Sequence, residues 1–168
     1  MTDMLTTNET NDTIQFSSRE QAATLALQLV KLARREICFF GNNIDAVLFD
    51  NQAIIDCLSE FARRNHRTSI KFAIHSSTAN IQNSHSIIPL AQRLTSSIHI
   101  HTSSEQHQDL NQMFLLIDDV AYLHCQLSDS YKGRANLDDR YEVRSLKQTF
   151  NEIWNHSVID SNTRQLNL

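Results

Sequence analysis

Apolar residues recur along this chain at two spacings, and the way the spacings alternate predicts the fold. Thr13-Ile14-Gln15-Phe16 alternates polar and apolar, as a short strand does. Ser17 and Glu20 behind it fit an S-x-x-E capping box, the mark of a helix start. Ala22, Leu25, Ala26, Leu29, Leu32 and Ala33 then recur at helical spacing, predicting a helix that ends near Arg34-Arg35. Ile37 to Phe40 is a continuous apolar run closed by Gly41, the pattern of a strand buried on both faces. A helix over Asn51 to Arg64 follows, with Ile54, Cys57, Leu58, Phe61 and Ala62 on one stripe. Ser69 to Ile74 returns to period two. A shorter helix from His85 to Ser96 tolerates Pro89 only in its first turn, and Ile98 and Ile100 mark another strand. Met113 to Ile117 and Val120 to Cys125 read as a hairpin about Asp118-Asp119. Val143, Leu146, Phe150, Ile153 and Trp154 build a closing amphipathic helix.

Strands alternating with helices in this order predict one α/β domain: an α/β/α sandwich around a mixed, mostly parallel sheet over residues 13–168. The first dozen residues, rich in Thr, Asn and Asp without periodicity, are expected to form a disordered tail.

Composition narrows the chemistry. The 168 residues include only 2 glycines and 1 proline, where average usage gives roughly 12 and 8. A Gly-rich phosphate loop or dinucleotide fingerprint is thereby excluded. A net charge of -4 argues against a uniformly basic nucleic-acid coat. The sequence shows no membrane-length apolar run and no secretory signal, so a cytoplasmic protein is expected. Its 3 cysteines at wide spacing read as reduced, buried thiols.

Chemistry-bearing residues are few. His99 and His101 share one face of a predicted strand, which reads as a solvated face. No metal-ligand spacing accompanies them, so no metal or other cofactor is expected. Arg63, Arg64, Arg67 and Lys71 cluster without interleaved aromatics and read as a solvated helix end. Neither a G-x-S-x-G elbow nor an activated cysteine motif is present. The pairs Asp118-Asp119 and Asp138-Asp139 suit turns.

The run Asn111-Gln112-Met113-Phe114-Leu115-Leu116-Ile117-Asp118 resembles the phospholipase D signature H-x-K-x-x-x-x-D, with Asn111 in the histidine position and Met113 in the lysine position. Gly133-Arg134-Ala135-Asn136-Leu137-Asp138 resembles the family's G-S-x-N element, at a longer spacing from Asp118 than the family usually has. From about Ser18 to Leu168 the chain is similar to a family of uncharacterised bacterial domains with a degenerate phospholipase D-like fold. Its marks here are Leu116-Ile117-Asp118, the run Gly133 to Arg144, Phe150 with Trp154, and Arg164-Gln165-Leu166. Some relatives carry an acetyltransferase domain ahead of this one, which the resemblance does not cover, so no acetyl transfer is expected.

The resemblance implies a single phospholipase D half that has lost its catalyst. An amide is no nucleophile for a phosphodiester, and a thioether carries neither charge nor donor. No catalytic residue is therefore expected. The implied role is a binding or regulatory module for a phosphate-bearing ligand or a protein partner, without membrane association and with possible homodimerisation. Asn111, Asp118, Arg134, Asn136, Arg140 and His107 are the ligand-binding candidates. The competing reading is a phosphodiesterase or nuclease in which a displaced histidine, His107 or His124, has taken over.

Overall fold

The structure, a computed structural model, describes residues 12–164. The expected tail therefore lies outside the described residues apart from Asp12, as do Gln165 and Leu166 of the terminal motif. The chain runs β1 (Ile14–Phe16), α1 (Arg19–Leu32), β2 (Glu36–Gly41), α2 (Ala46–Phe49), α3 (Gln52–Arg64), β3 (Ser69–Ile74), α4 (Thr78–Gln82) and α5 (Ile87–Arg93). It continues as β4 (Ile98–Thr102), a 3-10 turn at Glu105–His107, β5 (Met113–Ile117), β6 (Ala121–Cys125), β7 (Gly133–Asn136), α6 (Arg140–Asn155) and β8 (Val158–Ile159). Among the described residues, one sheet holds all eight strands in the order β1-β7-β6-β5-β2-β3-β4-β8.

The sheet is mixed, but antiparallel pairing dominates it, which corrects the mostly parallel expectation. Only β2–β3 and β3–β4 are parallel. The β1–β7, β7–β6, β6–β5, β5–β2 and β4–β8 pairs are antiparallel. The cause is chain economy after β4. A parallel crossover needs a dozen or more residues and usually a helix, whereas β5 and β6 are joined by a tight turn and β7 follows through a short loop. β7 and β8 are too short and too polar or too exposed to announce themselves by period.

β2 sits at the centre and is buried on both faces, as its unbroken apolar run implies. Ile37 and Phe39 face one core with side chains from α1, α2, α3 and α5; Cys38 and Phe40 face a second core closed by Val143, Leu146, Phe150 and Ile153 of α6. The layers are therefore α/β/α. Among the described residues, no helix is long and apolar enough to cross a membrane. The three cysteines are free, and burial pushes the Cys38 and Cys125 thiols up to about 12.

Local boundaries moved where a tertiary bond outweighed a local signal. The cap of α1 is Ser18, one residue later than the predicted Ser17–Glu20 box: Gln21 N–H donates to Ser18 Oγ at 3.1 Å and Ser17 N–H donates to Gln21 Oε1 at 2.8 Å. The same helix stops at Leu32, short of the arginines. The backbone N–H groups of Arg34, Arg35 and Glu36 all donate to the Asp118 carboxylate, at 3.1, 2.8 and 2.9 Å, and draw the chain off the helix into β2. Asp118 opens a three-residue connection and holds a positive φ of 54°, a conformation Asp tolerates better than most residues. The predicted helix from His85 is shortened to Ile87–Arg93, with Pro89 in its first turn. Two short helices, α2 and α4, have no signal long enough to be predicted.

Candidate functional site

The sheet has two chemically different ends. The C-terminal ends of the parallel strands β2, β3 and β4 lie beside the starts of β5 and β7, and together they form the upper end. The lower end carries the Asp118 turn and the start of α6. The length of β5, roughly 15 Å at about 3.4 Å per residue, separates them.

Sequence alone grouped six ligand-binding candidates, and the fold divides them between these ends. Asn111 lies just ahead of β5 at the upper end, where its Oδ1 accepts from Asn42 Nδ2 at 3.1 Å. His107, in the 3-10 turn, is also at the upper end. Its Nδ1 lies 3.3 Å from Ser104 Oγ, and its ring centroid is 5.7 Å from that of His156 at the end of α6. Asp118, Asn136 and Arg140 belong to the lower end. Asn136 is buried, and its Oδ1 accepts from Asp138 N–H while its Nδ2 donates to Thr13 Oγ1. Arg140 opens α6 and is exposed. Arg134 stands between the ends, on the face of α6, where its guanidinium pairs with Glu142 at 2.8 Å.

Pleat alternation adds a second division. Met113, which the sequence resemblance sets on the signature's lysine, packs into the larger core with Cys125 and Ala135. Arg134 and Asn136, flanking Ala135, point to the opposite face. The two motif remnants therefore do not converge as one pair.

What does converge at the upper end is a cluster that includes His124. This ring is 8 % exposed, stands beside Arg134 in the ladder, and packs edge-on against Phe114. Its Nε2–H donates to Gln112 Oε1 at 2.7 Å, which leaves Nδ1 as a lone pair in the neutral ring. That Nδ1 has no partner. Burial, and then the Arg134 charge, holds the His124 pKa below its ordinary value, so the ring is neutral at pH 7. A cleft of about 460 Å3 opens here, lined by His124, Gln126, Lys132, Gly133 and Arg134 together with Gln15 to Ser17 ahead of α1. Its only charged lining side chains are Lys132 and Arg134.

Gly133 has a steric reason to be glycine. A Cβ there would stand 2.1 Å from the backbone oxygen of His124, far inside van der Waals contact. The preceding Tyr131 holds a positive φ of 52°, unusual for a bulky residue, and is braced by its hydroxyl donating to Asp45 Oδ1 at 2.7 Å and by Arg19 stacked 5.1 Å from the ring centre.

His75 is at the same end but is saturated. Its Nε2–H donates to Leu110 O at 2.7 Å, and Ser103 Oγ–H bonds its Nδ1 at 2.6 Å. The pair ties the end of β3 to the loop ahead of β5. His99 and His101 do not lie on a solvated face, contrary to expectation. His101 stacks on Trp154 at 3.7 Å and 11°, so the end of α6 covers that face. Of the basic cluster, Arg63, Arg64 and Arg67 lie exposed at the end of α3, as a solvated helix end does; Arg64 also donates to Ala33 O, and Lys71 lies apart, reaching Glu36 at 3.1 Å. Among the described residues, no group of three or more His, Cys, Asp or Glu side chains is placed to hold a metal ion.

His124 entered the sequence reading only as an alternative to the lost nucleophile, Gln112 only as a spacer within the motif run, and Lys132 not at all. Nothing local distinguishes them: His124 sits in a strand of otherwise ordinary pattern, and only the pairing of β6 with β5 and β7 sets Gln112 and Arg134 beside it.

The geometry has counterparts in known proteins. A family model described as a domain of unknown function, DUF7931, matches residues 18–166. No curated protein matches the chain. Among solved structures, Nuc from Salmonella typhimurium, a phospholipase D family member, superposes with a TM-score of 0.62 at 16 % identity, covering 92 % of this chain and 99 % of that one. NucT from Helicobacter pylori gives 0.63 at 13 % identity, covering 89 % and 99 %. TrmBL2, an archaeal chromatin protein described with a novel mode of DNA binding, gives 0.64 at 14 % identity, covering 88 % of this chain and 54 % of that one. The chain thus spans about half of TrmBL2. At these identities the likeness is one of fold, and the fold is that of phospholipase D family members.

Proposed function

We propose, from the premise that the chain belongs to the DUF7931 family, that it is a phospholipase D-like domain that binds without catalysing. Its ligand carries a phosphate group and is held in the cleft of His124, Lys132 and Arg134. The observation that carries this reading is the pairing of a buried, unpartnered imidazole nitrogen with two cations in one cleft, where the positions of the histidine–lysine pair hold Asn111 and Met113. The guanidinium of Arg134, with five N–H donors, keeps some free beyond those directed at Glu142 and Tyr122, and Lys132 adds a point charge. An anion beside Lys132 and Arg134 favours the charged form of the His124 ring, whose Nδ1 takes up a proton as the ligand binds. Asn111 is at the same end but outside the lining of this cleft, with its side chain bonded to Asn42. Of the remaining candidates, Asp118 and Asn136 act by shaping the scaffold rather than by touching the ligand, and the exposed Arg140 does neither. A cytoplasmic setting and pairing of two copies belong to the same reading; a monomeric mass by light scattering at high concentration counts against the second.

Titration calorimetry with inorganic phosphate and with a short single-stranded oligonucleotide tests the proposal. Binding of either, weakened by Arg134→Ala and without cleavage of the oligonucleotide, supports it. A second reading has one observation in its favour. A neutral, buried His124 with an open lone pair is also the form that a phosphodiesterase needs in a nucleophile or base. Turnover of a phosphodiester that His124→Ala or His107→Ala abolishes would establish that reading in place of the first.

A further inference from the structure

A second positively charged surface lies at the lower end of the sheet, away from the phosphate cleft. The parallel pairing of β2 with β3 sets the residues just ahead of the two strands side by side. Ser69 N–H donates to Arg35 O at 3.0 Å, and Arg64 Nη1 donates to Ala33 O at 3.0 Å. These bonds join the end of α1 to the end of α3. Two runs that are far apart in sequence, Lys31 to Arg35 and Arg63 to Arg67, therefore form one surface. Lys31, Arg34, Arg35, Arg63, Arg64 and Arg67 are all exposed on it.

The protein itself answers little of this charge. Among the described residues, only Arg35 of the six makes an ion pair, with Asp119 at 3.6 Å. The nearby carboxylates are engaged elsewhere. Asp118 accepts from three backbone N–H groups, Glu36 pairs with Lys71 and Lys147, and Asp56 accepts from Gln52. Glu60, one turn back on α3, makes no ion pair among the described residues. Six of the chain's 15 lysines and arginines stand on this surface, and the other nine (15 less 6) are set against all 19 acidic residues. A chain of net charge -4 thus presents one strongly positive corner.

We propose that this corner binds the phosphodiester backbone of double-stranded nucleic acid without reading its sequence. Five of the six cations are arginines, whose planar fork of donors matches phosphate oxygens. A duplex carries one negative charge per roughly 1.7 Å of its axis, so several cations meet phosphates at once. Neither run contains Phe, Tyr or Trp, which leaves single-stranded bases no platform to stack on. Leu32 is the one large apolar side chain exposed between the cations, too little for the apolar core of a protein interface or for insertion into a membrane. A membrane would also extend beneath the acidic remainder of the molecule, whereas a duplex is a narrow rod that meets the corner alone. The surface does not depend on the phosphate cleft, and its test uses different residues.

The test is fluorescence anisotropy of a short labelled DNA duplex titrated with the full chain over a range of salt. Affinity should fall about a hundredfold between about 50 and about 200 mM salt, and change less than about twofold with duplex sequence. Arg34→Gln combined with Arg67→Gln removes one unpaired cation from each helix end. This pair should weaken the duplex about tenfold at the lower salt and flatten the logarithmic salt slope by about two. Lys31→Gln combined with Arg63→Gln is a second such pair and should do the same. None of these four side chains makes a hydrogen bond or ion pair among the described residues, so urea midpoints should hold in both pairs. Phosphate affinity of the cleft, read by calorimetry, should hold as well. No duplex binding at the lower salt, or a salt slope that both pairs leave unchanged, overturns the proposal. A single strand that binds more tightly than the duplex overturns it too. So do vesicles with about a third phosphatidylserine, or polyglutamate, if either competes as well as unlabelled duplex at equal charge, which would assign the corner to a membrane or an acidic protein. Failure of phosphate to bind the cleft leaves these results standing, because the four substituted residues lie outside it.

Discussion

The two ends of the sheet are made from similar polar residues and use them in opposite ways. At the lower end the Asp118 carboxylate accepts three backbone N–H groups, Asp139 caps α6 by accepting from Glu142 N–H at 3.0 Å, and Asn136 is buried among its own bonds. Those side chains are spent on holding the chain. At the upper end, His124 buries a ring nitrogen that no protein group answers. A buried polar group without a partner costs on the order of 1–3 kcal/mol, so this site is expensive as architecture. It makes physical sense as a place a ligand completes. The contrast gives Asp118 a role in the fold that is independent of any ligand.

The largest effect should come from breaking the lower end. Asp118→Ala removes the acceptor of three N–H groups where α1 hands the chain to β2 and should cost about 3 kcal/mol, read from urea denaturation. Phosphate affinity of the surviving folded protein should not change. Gly133→Ala comes next. The clash with the His124 carbonyl should cost about 2 kcal/mol, because backbone on both sides must shift, and it should also disturb the cleft. Arg134→Ala should do the reverse of Asp118→Ala. Its half-exposed ion pair with Glu142 contributes under about 1 kcal/mol to stability, while phosphate affinity falls about tenfold in calorimetry.

Much of this contrast was legible in the sequence for the frame and little of it for the site. The apolar run of β2 and the stripes of α3 and α6 read directly, because each element buries a face whose period is local. The start of α1 slipped by one residue because Ser17 and Ser18 compete for the cap and Gln21 favours the second. Its end was shortened by Asp118, 83 residues from Arg35 in sequence. Sheet polarity failed for a similar reason: turns and short loops after β4 carry no periodic signal. The candidate residues could be found by motif, but a motif does not say which end of a strand or which face of a pleat a side chain occupies. Met113 and Arg134 went to opposite faces by that alternation alone. His85 and His124 look ordinary until burial strips them of water.

Acid should sharpen the comparison from another direction. Burial holds His85, His99, His101 and His124 below their ordinary pKa of 6.5 in the folded state. Between those lowered values and 6.5 the unfolded chain binds more protons than the folded one, so stability falls as pH drops through this window and is flat above it. Urea midpoints measured from about pH 7.5 down to about 5 should show a decline beginning near 6.5. Added phosphate should lessen the part due to His124, because the anion favours its charged form. The smallest effect belongs to Arg140→Ala. That exposed residue at the lower end should change phosphate affinity by less than about twofold and stability by under about 0.5 kcal/mol.

The central claim is that the upper end binds phosphate with His124 and does no chemistry on it. Nitrogen-detected NMR of the His124 ring during titration with inorganic phosphate tests it most directly. The account predicts a saturable shift of Nδ1 toward the protonated form, weakened in Arg134→Ala, with a phosphodiester probe left intact in the same tube. A His124 ring that ignores phosphate, or a probe that is hydrolysed, would contradict it.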